Sequence, residues 1–174
     1  MSILAEEIVE EWLNRNGYFT IRGIKLGVHE IDLLAIRMEK DGSVTRRHLE
    51  VQASVNPTSY VTGLPKRVRK QTGRSSASSK HREDAELIEG VKESCEKKYK
   101  LPKKSKLRLS LSSGDWTFEL VVHRIKYPHE LKLIRAEGVI VHRLSKIAKE
   151  LARTTGPIAK AAGGDLVDLL VVKT

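Results

Sequence analysis

HEIDLLAIR at 29–37 and RHLEVQA at 47–53 decide how this chain is read. Both stretches read as strands, and Asp41-Gly42 between them is a hairpin signal, so the two are expected to lie side by side and antiparallel. Side chains on a strand alternate faces. Glu30 and Asp32 therefore share one face, and Ile31, Leu33 and Ala35 take the other. On the second strand Glu50 and Gln52 share a face opposite Leu49, Val51 and Ala53. Neighbouring strands are about 4.8 Å apart, so in a matching register Asp32 and Glu50 converge on one point. Carboxylates that close repel unless a cation lies between them, and hard oxygen ligands with room for water suit Mg²⁺ or Mn²⁺. Leu34 and Ile36 accompany Asp32 on its face, which makes these strands look buried, and a buried carboxylate needs a partner or a metal.

Working outward, residues 3–15 place Ile3, Leu4, Ile8, Val9, Trp12 and Leu13 near a helical period, and Asn16-Gly17 stops the helix. Tyr18 to Ile24 alternates as a strand, completing an antiparallel meander of three. The spacing predicts a helix over 84–99 with Ala85, Ile88, Val91 and Cys95 on its buried face. A strand is expected at 116–123, a helix at 128–136 and a short strand at 139–142. That strand–helix–strand unit implies parallel pairing. Ser145 is placed to cap a last helix running to Arg153, and 161–172 fits helix or strand equally. The expected fold class is α/β, a mixed central sheet flanked by helices, with residues 1–174 forming a single domain.

Thirty-two Lys and Arg against twenty-two Asp and Glu give a formal charge of +10, which points to a polyanionic partner. The surplus clusters between 57 and 82, where Lys66, Arg67, Arg69, Lys70, Arg74 and Lys80 are candidates for gripping phosphate. Gly63, Pro65 and Gly73 argue against one long helix there and for a mobile loop over part of it. Cys95 is the sole cysteine, so no disulfide can form within the chain and a reducing, cytoplasmic setting is expected. No apolar run reaches the roughly 18 residues of a membrane span, so no membrane partner is expected. His48, His123 and His142 lack metal-ligand spacing and read as structural.

Glu-Ile-Asp-Leu-Leu-Ala (30–35) followed by Leu-Glu-Val-Gln (49–52) resembles the core of the PD-(D/E)xK, or restriction-endonuclease-like, nucleases. The order Glu6, Trp12-Leu13, Gly17-Tyr18 is similar to the first helix of the small junction-resolvase-like members. The likeness covers residues 5 to 53; beyond that only the order of elements agrees. It implies hydrolysis of DNA, duplex or branched, with Mg²⁺ or Mn²⁺ held by Asp32, Glu50 and the Val51 carbonyl. Glu6 would assist a second ion or a ligand, and Gln52 would orient the attacking water. Cutting both strands at once needs two such sites, which a homodimer would supply. Gln52 stands where the family carries lysine, and an amide can hydrogen-bond but brings no charge; Lys66 or Lys70 could reach in to replace it. Two rival readings remain. One is a catalytically silent DNA-binding protein with the nuclease fold. The other is a small regulator built on LSKIAKELARTTG (144–156), which faintly resembles the start of a helix-turn-helix.

Overall fold

The computed structural model describes residues 2–54, 56–153, 156–161 and 163–165. Its elements in chain order are α1 (Ser2–Arg15), β1 (Phe19–Leu26), β2 (His29–Met38), β3 (Val44–Gln52), α2 (Lys66–Thr72), α3 (Asp84–Cys95), a π-helical turn (Glu96–Lys100), α4 (Pro102–Leu111), β4 (Thr117–Val122), α5 (His129–Ala136), β5 (Val139–Arg143) and α6 (Leu144–Ala152). The strands form one sheet in the order β1-β2-β3-β4-β5. The first three are antiparallel, and β4 and β5 join parallel. The expected α/β class, the meander and the parallel side are all present.

The two faces of the sheet are covered differently. Leu33, Ala35, Leu49, Val51 and Val121 pack under α1 and α6 through Ala5, Val9, Leu13, Ile147 and Leu151. On the other face Leu120, Val122 and Val139 pack with Val91 and Cys95 of α3, Tyr99 of the π turn, and Leu131 and Ile134 of α5. Asp32, His48 and Glu50 point to this second face, because they alternate with Leu33, Leu49 and Val51.

Several local expectations are corrected. The buried side of α3 is Leu87, Gly90, Val91 and Cys95, whereas Ala85 and Ile88 are exposed. The helix starts on a reciprocal capping box between Glu83 and Glu86, which sets its phase by the turn before it. Ser145 lies inside α6, whose N-cap is Arg143 without a side-chain bond. The α4 helix, starting on Pro102, has no counterpart among the elements expected from the sequence. The expected element at 161–172 lies mostly outside the described residues, as does the region a recognition helix after α6 would occupy.

Candidate active site

The β2–β3 ladder runs from Met38↔Val44 to Leu33↔Leu49, so one further step sets Asp32 opposite Glu50. On its other side Asp32 meets Gly23, where the β1–β2 ladder skips from Arg22↔Leu33 to Ile24↔Ile31. Gly23 has φ +68°, a left-handed conformation that glycine adopts without penalty. Regular pairing thus lapses on both sides of Asp32. The Val51 N–H donates to the Asp32 side chain instead, 2.7 Å from Oδ2. The carboxylates therefore meet where the sheet opens.

Glu50 is 5% exposed. Its Oε1 accepts from Lys104 Nζ at 2.8 Å and pairs with His48 Nε2 at 3.1 Å. Among the described residues its Oε2 accepts no hydrogen bond and has Lys98 Nζ at 3.7 Å. Burial pushes the Glu50 carboxyl up, but His48, Lys98 and Lys104 outweigh it and the net direction is down. Asp32 goes the other way: desolvation first, then the charges of Glu50 and Glu6, push it up to about 6 against the pull of Val51 N–H and Lys98. Glu6 is buried on α1, which covers the opposite face of the sheet, and its charge is the smallest of these contributions to Asp32.

Gln52, the position of the family lysine, donates its amide N–H to the Val61 carbonyl at 2.8 Å and ties β3 to the segment leading to α2. The cations near the carboxylates are Lys98 and Lys104, and not Lys66 or Lys70. Lys104 is 3% exposed and is anchored by the Lys98 carbonyl at 2.7 Å. It shares one side of α4 with Arg108, four residues on, also buried. The π turn carries Lys98, and such turns insert an extra residue that re-aims the side chains around them.

Glu50, Lys98 and Lys104 line a cleft of about 920 Å³. Lys66 and Arg69 of α2, Lys92 of α3, Lys97 of the π turn, and His29 and Glu30 at the start of β2 also line it. The basic segment divides accordingly. Lys66 and Arg69 face the cleft, and the buried Arg69 Nε has no hydrogen-bond partner among the described residues. Arg67 is turned to Glu89, and Arg74 to Glu86 and the carbonyls of Lys80 and His81. Lys70 and Lys80 are exposed.

Among the described residues no group of three or more His, Cys, Asp or Glu side chains is arranged to hold a metal. A Mg²⁺ that keeps most of its waters needs only one or two carboxylates. The donor set fits that demand. Among the described residues Asp32 Oδ1 and Glu50 Oε2 accept no hydrogen bond, and Oε2 has only the longer ion pair to Lys98 at 3.7 Å. Burial first, and the neighbouring Glu50 charge second, raise the pKa of the Asp32 carboxyl, and a cation bound between the two would relieve the charge repulsion.

No protein-family model matches the chain, and no curated protein matches it. A solved structure similar to it is the crystal structure of a protein of unknown function, AF1548, with 15% identity and a TM-score of 0.45 over 83% of this chain. The chain spans 59% of that protein. No helix of the described residues is long and apolar enough to cross a membrane.

Proposed function

We propose that this chain is a metal-dependent endonuclease acting on DNA phosphodiester bonds in the restriction-endonuclease-like manner, with Mg²⁺ or Mn²⁺ held by Asp32, Glu50 and the Val51 carbonyl. The observation that carries the reading is the pairing of a desolvated Asp32 with Glu50 at the lapse in the sheet, beside a buried lysine. The bound ion would lower the pKa of a coordinated water and neutralise charge on the phosphate. Lys104 supplies the positive charge that Gln52 lacks. Two of its three N–H groups go to Glu50 and the Lys98 carbonyl, leaving the third for a phosphate oxygen. Gln52 shapes the site by holding Val61, Glu6 adds negative charge beside Asp32, and Lys66 and Arg69 offer cations to the nucleic-acid backbone along the cleft wall. A homodimer would give two such sites for the two strands of a duplex.

A second reading is favoured by the same contacts. Glu50 already carries ion pairs to Lys98 and Lys104, an arrangement that also suits a DNA-binding protein without catalysis. Cleavage of supercoiled plasmid with Mg²⁺ or Mn²⁺ separates the two. Nicking by the wild type that drops by about three orders of magnitude or more in Asp32→Ala and Glu50→Ala, roughly 4 kcal/mol of barrier, supports the nuclease. Intact plasmid with salt-sensitive binding selects the silent protein.

A further inference from the structure

His48 is fully buried, yet it bonds on both sides. Its ring is held edge-on by Tyr99 at 5.1 Å and by Phe118 at 6.0 Å between centroids. Arg108 Nη1 lies 2.9 Å from Nδ1. A guanidinium has donors and no acceptor, so Nδ1 must offer its lone pair, and a neutral ring then carries its proton on Nε2. That proton faces Glu50 Oε1. Arg108 is itself fixed, bonded to Ser105 Oγ at 3.2 Å and lying over the Phe118 ring at 5.0 Å. The order of donation runs Arg108 to His48 to Glu50, and ends on the oxygen that Lys104 also takes.

We propose that His48 is a positioning residue for the metal site: Arg108 sets its tautomer, and its Nε2–H pins Glu50 Oε1 so that Oε2 is left to the cation. This rests on the nuclease reading, and it assigns His48 and Arg108 a role beyond filling the core. Partners of this kind typically change metal affinity 10–100-fold. Gln can reproduce the accept-and-donate pair through its amide, whereas Leu fills the space and does neither.

Two measurements test it. A long-range ¹H–¹⁵N correlation on metal-free protein should place the His48 proton on Nε2; a proton on Nδ1, or on both nitrogens, overturns the proposal without touching the nuclease reading. Mn²⁺ binding followed by electron paramagnetic resonance should weaken by about 10–100-fold in His48→Leu and stay within about threefold in His48→Gln. Should His48→Leu fail to fold, Arg108→Leu carries the same expectation, because it releases the tautomer. Undiminished binding in the Leu variant, or equal loss in Leu and Gln, overturns the proposal alone. A wild-type protein that binds no Mn²⁺ overturns the metal site and this proposal together.

Discussion

Glu50 and Glu119 are buried carboxylates on neighbouring strands, β3 and β4, facing opposite sides of the sheet, and their surroundings differ in completeness. Glu119 receives Arg47 on both oxygens at 2.6 Å, His142 at 2.6 Å and Thr117 at 2.9 Å. Burial pushes it up, but Arg47 and His142 hold it down at about 2. Arg47 in turn lies over the rings of Trp12 and Tyr18, which clamps α1 to the sheet. Glu50 has Oε1 hydrogen-bonded, and Oε2 accepts no hydrogen bond among the described residues and has only Lys98 at 3.7 Å, beside a second carboxylate pushed up to about 6. A closed network holds a fold together. An open one leaves electrostatic work for a ligand.

The largest effect that would break this contrast is on stability. Removing one partner of a buried ion pair strands the other charge and costs about 3–5 kcal/mol. Arg47→Met is expected to lower Tm by roughly 10 °C while leaving cleavage per folded molecule unchanged, as checked by thermal melts and plasmid nicking on the same samples. A melt within about 2 °C of wild type would mean that the Glu119 network is not the clamp it looks like.

Lys104→Met tests the open side. It removes a cation from the site and should cost about 100-fold in cleavage rate, near 2.7 kcal/mol of barrier. Restoring a lysine through Gln52→Lys in that background is expected to recover part of the loss. Cleavage at the wild-type rate in Lys104→Met would show that the charge beside Glu50 is structural, like that beside Glu119.

The carboxylates are legible in the sequence because a strand period of two with apolar neighbours is a strong signal, and both strands follow from it. Lys104 is not. In α4 the leucines at 107, 109 and 111 alternate as a strand would, and Leu109 and Leu111 are exposed. What α4 buries is Lys104 and Arg108, and hydrophobic patterning cannot pick out a helix whose inner side is cationic. The π turn hides Lys98 in the same way, because an inserted residue shifts the helical phase on which the 84–99 reading relies. His48 reads as structural because its partners are sixty residues away in α4 and two away in β3, with no spacing that marks a ligand.

Proton linkage gives the two carboxylates opposite signs. Asp32 has a folded pKa near 6, above its unfolded value, so without metal its contribution is favourable below about pH 4 and is lost as pH rises through 6. Glu119 has a folded pKa near 2, so its contribution is present above about pH 4.5 and is lost as pH falls towards 2. In metal-free buffer Asp32→Asn should therefore stabilise by about 1–3 kcal/mol at pH 7.5 and by little at pH 4. Glu119→Gln should destabilise at pH 7.5 by about 3 kcal/mol, and by less at pH 3.5. Denaturant melts at these pH values read both, and the same sign of change for the two variants would remove the distinction.

The smallest effect extends the contrast to the basic segment. Arg67 and Arg74 have carboxylate partners within the chain, whereas Lys66 and Arg69 face the cleft, and Arg69 holds a buried N–H without an acceptor among the described residues. A cation already neutralised by glutamate releases little counter-ion from DNA, so charge alone does not predict affinity. Every phosphate that a cation no longer neutralises lowers the slope of log K against log salt by about 0.9. The double variant Lys66→Ala/Arg69→Ala should flatten that slope by about 1–2 and weaken binding several-fold at moderate salt. Arg67→Ala/Arg74→Ala removes the same formal charge and should leave the slope nearly unchanged. Equal flattening by the two pairs would mean that the whole segment acts as a diffuse basic surface, and the cleft would lose its standing as the path of the nucleic-acid backbone.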